Sequence, residues 1–380
     1  MPHNPDSFFL FVHIMVRVMN LRTISLCMIV KNEEKTLPRC LESTAGLFDE
    51  IIIADTGSED ATVETAKKYT DKVYDFEWCD DFSAARNFAF SKAVCDYIMW
   101  LDADDVILKT DYEKFVSLKN SLDGSQDVIM IPYNTAFDEN GSPSFSFCRE
   151  RIFKRSRGFK WKGRVHEAVE YSGNVVFSDA AVTHKSVKTH YTERNLNIYL
   201  KQEKLGEPFS PRDKFYFGRE LYYHRHYSLA AAVLDEFLNE NKGWVENDIE
   251  ACRVLSYCLK ETKGDNAALS AIFRSFLYGP PRAEVCCEIG NIFFELNNFN
   301  TAAFWYEQAL GSKPPEQSGA FVDYSAYGFI PAIQLAVCYD RLGNSEKAAY
   351  FNETAGKYRP NSEEYLHNKK YFDSVLSNGK

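Results

Sequence analysis

The sequence predicts a chain of two parts, an α/β domain of alternating strands and helices followed by an all-α array of helical repeats. Three observations predict it. Strand, turn and helix signals alternate between Thr23 and Ile107, small residues recur at fixed helical places from about Pro211, and 380 residues exceed what one hydrophobic core usually organises. The expected boundaries are an extension over 1–22, the α/β domain over 23–200 and the repeats over 201–380.

From Thr23 the chain reads TISLCMIVKNEE, an apolar run of β-formers that ends in polar residues and feeds a helical stretch through Leu41. That is the signature of a strand buried on both faces. The unit recurs in DEIIIADTGSEDATVETAKKY, where an Ile-rich strand ends at Asp55, turns at Gly57-Ser58 and enters a helix. A third strand, KVYDF, precedes the helix of DDFSAARNFAFSKA, and a fourth, YIMWL, ends at Asp102. Alternation of this kind gathers the polar strand ends at one edge, outside which ligands of α/β sheets bind. Asn32, Glu33, Asp55 and Asp102 are therefore placed at a ligand edge.

Composition narrows the class of function. Apolar residues make up 45% and charged residues 26%, with 29 Phe and 22 Tyr, enough large side chains to fill cores. A formal net charge of -10 argues against nucleic acid as a partner. Ten scattered cysteines with no CxxC pair fit a reduced, cytoplasmic protein better than a disulfide frame or zinc site. Phe8 to Met19 is apolar but interrupted by His13 and Arg17, too short to span a bilayer and without a basic leader. A start at Met15 or Met19 accounts for it better than a surface anchor, and no integral membrane segment is expected.

There is no GxGxxG after the first strand and no GxxxxGK[ST], so phosphates at this edge need another counter-charge. WLDADDV offers one: Asp102, Asp104 and Asp105 follow a buried strand, where acids repel unless a cation lies between them. Hard divalent cations prefer such oxygen ligands and bridge to diphosphates. A solvated turn with an Asp helix cap is the alternative reading of the same residues.

The stretches SLCMIVKNEE, IIIADTGSEDAT, DDFSAARNFAF and YIMWLDADD, in that order and spacing, resemble the family 2 glycosyltransferases of the GT-A fold, a Rossmann-like nucleotide-diphospho-sugar transferase domain. RIFKRSRGFKWKGRVHEAV and AAVTHKSV extend the resemblance more loosely, to the acceptor-side and metal-side segments of the repeat-bearing branch, which includes cytosolic peptide and flagellin glycosyltransferases. The resemblance implies a UDP-sugar donor and Mn²⁺ or Mg²⁺. It implies that Asp55 bonds the uracil ring, Arg86 holds the base or its diphosphate, Asp102 faces the ribose or metal, and Asp104 and His184 ligate the ion.

Inverting transfer also needs a base for the acceptor's proton. His166 and Glu167 are the candidates, with Glu167 preferred as base and His166 positioning donor or acceptor. If the pair lies on a strand, only one of the two side chains points into the site. Lone His190, His224 and His226 read as surface or core residues. From Leu108 to Gly124 nothing resembles the family, and the donor sugar is not legible.

The second half fits the tetratricopeptide pattern, a small residue followed by an aromatic three on, then Ala and Pro at later fixed places. The clearest copy is Gly290, Phe293, Ala302, Tyr306, Ala309, Pro314; the next is Ala336, Tyr339, Ala348, Ala355, Pro360. Weaker copies read Gly218, Leu221, Ala230, Leu234 and Ser256, Leu259, Ala268, Ile272, Pro280, and loop insertions absorb the irregular spacing. Such arrays form curved solenoids that bind extended peptides, which favours a peptide or protein acceptor. A homodimer interface or a plain buttress is the competing use. Other readings of the whole chain are a transferase acting on a lipid-linked or surface saccharide, and a scaffold that has lost activity; the filled positions 102, 104 and 184 weigh against the last. A sugar nucleotidyltransferase needs a glycine-rich basic loop where this chain has KNEEK.

Overall fold

The computed structural model describes residues 22–138, 141–186, 192–315 and 321–378. The hydrophobic stretch from Phe8 to Met19 and His190 lie outside them. The chain divides into two compact units, one built from residues up to 134 with 148–191, the other from 135–147 with 192–380.

The first unit is organised by a mixed sheet. Strands β1 (Ile24–Val30), β2 (Glu50–Asp55), β3 (Val73–Asp75) and β4 (Tyr97–Trp100) run parallel, with β1 between β2 and β4. The sequence supplies nearly unbroken apolar runs here because both faces are covered, and β1 and β4 are buried almost throughout. Helices α1 (Leu37–Ser43), α2 (Thr62–Ala66) and α3 (Phe82–Lys92) connect them. Asp81 starts α3 by accepting the Ala84 N–H at 2.9 Å, the usual service of an Asp N-cap. After β5 (Asp105–Val106) and α4 (Lys109–Ser121) come two long strands, β6 (Val128–Phe137) and β7 (Pro143–Lys154). β7 runs antiparallel to β4, pairing Ile98 with Phe153, and β6 lies beside β7.

The remaining strands are short: β8 (Trp161–Lys162) with β9 (Ala168–Val169), β10 (Val175–Phe177), and β11 (Val182–His184). β11 lies between β6 and β5 and pairs His184 with Asp105. That register brings a residue of the later chain to the acidic strand end. The core between sheet and helices includes Ile52, Ala89, Phe90, Trp100, Phe153 and Trp161.

In the second unit, helix α5 (Arg194–Lys204) packs on α6 (Pro211–Tyr223). Ser210 and Asp213 cap α6 reciprocally and Pro211 fills its first turn. Helix pairs follow: α6 with α7 (Tyr227–Glu240), α8 (Val245–Lys263) with α9 (Asp265–Phe273), α10 (Ala283–Glu295) with α11 (Phe299–Gly311), and α12 (Phe329–Arg341) with α13 (Ser345–Tyr358). Helix α14 (Glu363–Asn378) packs on α13.

The small residues stand where helices touch. A β-carbon on Gly218 would come within 2.5 Å of Leu234, and one on Gly290 within 2.8 Å of Tyr306. Ser256 donates to the Ala268 carbonyl at 2.9 Å across the second pair. The longest spacing between copies is absorbed between α11 and α12, where β12 (Val322–Asp323) pairs with Phe145 and Ser146 of the β6–β7 hairpin end. Phe215, Phe217 and Phe329 are buried, while Tyr223 and Tyr324 are exposed. The ten cysteines are free thiols, and in α8, α10 and α12 burial pushes those of Cys252, Cys258, Cys286 and Cys338 up to about 12. They are packing residues. Among the described residues no helix is long and apolar enough to cross a membrane.

Candidate active site

The carboxyl ends of β1, β2 and β4 present the polar residues expected there. Asp55, at the end of β2, is buried and turned into its own loop, its Oδ2 accepting the N–H groups of Gly57 at 3.0 Å and Ser58 at 2.9 Å. Gly57, at φ +94°, has a conformation that a side chain would strain. Asn32, after β1, holds the same loop by accepting the Glu59 N–H at 2.8 Å. Glu33 donates its N–H to Thr62 at 2.7 Å and adds its negative charge to those acting on Asp104.

Arg86, on α3, is buried between two indoles, 4.6 Å from the Trp100 ring and 5.0 Å from that of Trp161. Its Nη2 meets Asp102 Oδ1 at 2.8 Å and its Nε meets Glu167 Oε1 at 2.5 Å. One guanidinium therefore joins two of the residues singled out in the sequence, and its hydrogen bonds in this state go to protein carboxylates. Desolvation works against the Asp102 carboxylate, but the Arg86 and Arg151 charges outweigh it and hold its pKa at about 2.

His166 and Glu167 do not lie on a strand. His166 has φ +50°, in the loop between β8 and β9, so the strand alternation expected for the pair does not apply. The loop forms because Trp161–Lys162 and Ala168–Val169 pair with each other and the intervening residues must reverse the chain. Glu167 is largely enclosed, its side chain only 10% exposed.

Asp104, Asp105 and His184 offer ligand atoms that all lie within 4.8 Å of one another. His184 Nδ1 is 3.5 Å from Asp104 Oδ1 and 3.8 Å from Asp105 Oδ1. Burial, followed by the neighbouring charges of Asp102, Asp105 and Glu33, raises the Asp104 pKa, with His184 opposing them. The carboxylates of Asp105 and then Asp104 raise that of His184 against its own desolvation. Concentrated acid of this kind, with an imidazole beside it, suits a divalent cation.

Two residues of this cluster, Tyr133 and Arg151, carry no role in the sequence, and Asp105 is there only one of three acids facing a cation. Asp105 and Arg151 are fully buried and meet at 2.9 Å; Tyr133 donates to Asp105 at 2.7 Å and touches His184 Nδ1 at 2.8 Å. Burial, reinforced by the Asp105 carboxylate, pushes the Tyr133 pKa up, so the phenol keeps its proton.

The glycosyl transferase family 2 profile matches residues 25–182, and a tetratricopeptide repeat profile matches residues 283–316. The chain is 33% identical over 214 residues to the SPbeta prophage-derived glycosyltransferase SunS of Bacillus subtilis, covering 53% of this chain and 49% of that protein. It is 35% identical over 150 residues to a TPR repeat-containing protein of Synechococcus elongatus, covering 39% of this chain and 36% of that one. The matches thus span half or less of these two relatives. Among solved structures, Staphylococcus aureus TarS 1-349 in complex with UDP aligns with 67% of this chain and 88% of its own at 17% identity and a TM-score of 0.34. MamA aligns with 44% of this chain and 82% of its own at 16% identity and a TM-score of 0.35. These matches place a region similar to glycosyl transferase family 2 over the α/β domain, with its sheet order and strand-end acids, and a tetratricopeptide repeat among the helix pairs that follow.

Proposed function

We propose that the chain is an inverting glycosyltransferase that moves a sugar from a UDP-sugar donor to a peptide or protein acceptor with Mn²⁺ or Mg²⁺. The observation that carries this reading is the meeting of Asp104 and His184 beyond the end of β4 and at the end of β11, within a cluster where burial and then crowded negative charge raise the Asp104 pKa. The donor set fits a hard divalent ion, with Asp104 and His184 as its protein ligands. Such an ion neutralises the charge that grows on the nucleotide diphosphate as the glycosidic bond breaks.

The remaining roles fall to residues around that centre. Asp55 and its tight Gly57-Ser58 loop form the floor for the uracil, and the assignment of uridine rests on the motif resemblance there. Arg86, fixed between two indoles, keeps Asp102 ionised and holds both Asp102 and Glu167 in place. Glu167 is the proposed base: an ionised carboxylate can only accept, and it takes the acceptor's proton as the nucleophile attacks the anomeric carbon. His166 positions donor or acceptor. The repeats are the proposed seat of the peptide.

Incubating the full chain with a panel of UDP-sugars and Mn²⁺ tests the reading. Expected is metal-dependent release of UDP, lost on adding a chelator. Glu167→Gln is expected to lower turnover by about 10²- to 10⁴-fold while UDP still binds. Full turnover in Glu167→Gln would remove it from the base role.

A further inference from the structure

Asp105 is held by three donors. Its fully buried carboxylate takes Arg151 Nη1 at 2.9 Å and the Asp102 N–H at 3.0 Å on Oδ2, and the Tyr133 hydroxyl at 2.7 Å on Oδ1. Arg151 is fixed in turn. Its guanidinium lies 3.8 Å from the Trp100 ring centroid and 4.4 Å from that of Tyr133, and it also donates to the Trp100 carbonyl at 3.3 Å. Its Nε and Nη2 have no hydrogen-bond acceptor among the described residues, so the two aromatic rings are what surrounds the rest of the charge.

Counting protons then places one on Nδ1 of the imidazole. A tyrosine hydroxyl carries one proton, and a carboxylate paired with a guanidinium can only accept. The Tyr133 proton therefore lies on the 2.7 Å contact to Asp105; placed elsewhere, it would leave two oxygens facing each other with no proton between. The 2.8 Å contact between Tyr133 Oη and His184 Nδ1 needs a proton too, and only Nδ1 can supply it. In the neutral imidazole, with Nδ1 carrying the one proton, Nε2 offers its lone pair.

We propose that Arg151, Asp105 and Tyr133 are positioning residues that hold His184 as its Nδ1–H tautomer, so that Nε2 is presented to the divalent cation beside Asp104. This rests on the reading of Asp104 and His184 as cation ligands. Asp105 is then a buried anchor of the site and not a ligand, although it belongs to the same cluster. Outer partners of this kind set ligand orientation and tune metal affinity.

The test uses the full chain labelled with ¹⁵N-histidine. Long-range ¹H–¹⁵N correlation at pH 9, with the His184 signals assigned by their loss in His184→Gln, reads the tautomer directly. Mn²⁺ titration followed by electron paramagnetic resonance reads affinity. Expected are the Nδ1–H tautomer in the native chain, an Nε2–H population in Tyr133→Phe, and Mn²⁺ binding weakened about 10- to 100-fold in that variant. An Nε2–H tautomer in the native chain overturns the proposal and needs no variant to fold. Native Mn²⁺ affinity and an unchanged tautomer in Tyr133→Phe overturn it as well, while leaving the cation site standing. If the native chain and Asp104→Ala bind Mn²⁺ equally poorly, the cation reading itself fails and takes the relay with it.

Discussion

At the scale of single residues, the site is a set of charges whose partners are already chosen. Arg86 is shared between Asp102 and Glu167, and Arg151 belongs to Asp105. Attraction between fully buried ions is offset by the cost of taking both out of water, so the Arg151–Asp105 pair adds little net stability while intact and costs much when broken. Arg151→Met leaves Asp105 charged in a closed interior, and chemical denaturation is expected to show a loss of about 3–5 kcal/mol. A loss near zero would mean that Asp105 finds another partner or takes up a proton. The acids were legible because three of them follow an apolar strand in four residues. Tyr133 and Arg151 were not, because their pairing depends on β6, β7 and β11 coming together, and sequence spacing carries no information about that.

At the scale of elements, local rules went far and failed where long-range pairing decided. The buried parallel strands and the small residues of the repeats were readable from hydrophobic runs and helical spacing. Whether His166 and Glu167 lie on a strand stays open in the sequence, because the two-residue strands on either side are too short to give a period. The Gly290 contact makes a direct prediction: in Gly290→Ala the added methyl meets the Tyr306 ring, whose hydroxyl is held by Asn291 at 2.6 Å. Overpacking of that kind costs about 1–3 kcal/mol, measured as a lowered Tm of the repeat transition.

Asp248, in the first turn of α8, makes another prediction. It is buried, one carboxylate oxygen has no hydrogen-bond partner among the described residues, and burial raises its pKa. A raised carboxyl favours the folded state at low pH, and that contribution is lost as pH rises through the folded pKa. Asp248→Asn is therefore expected to stabilise the chain at pH 7 by about 1 kcal/mol, with the gain shrinking as pH falls towards 4. Denaturation series across that range would show it, and a gain independent of pH would contradict it.

At the scale of the molecule, the two compact units are not two consecutive lengths of chain. The repeat unit includes residues 135–147, where Phe145 and Phe147 meet Phe321 and β7 pairs with β12. Sequence reading could not assign a hairpin end to helices that begin almost fifty residues later, since nothing local distinguishes it from the rest of β6 and β7. A fragment beginning at Thr192 lacks this strand partner. Hydrogen exchange around Val322 and Asp323 is expected to be faster in that fragment than in the full chain; equal protection would show that the segment holds itself.

In the proposed function, the strand-end acids bind a nucleotide diphosphate through a divalent ion. Calorimetric titration of the full chain with UDP, with and without Mn²⁺, for the native protein and Asp104→Ala, tests it most directly. The account predicts UDP binding that requires Mn²⁺ and disappears in Asp104→Ala. UDP binding of equal strength in all four experiments, or none in any, would contradict it.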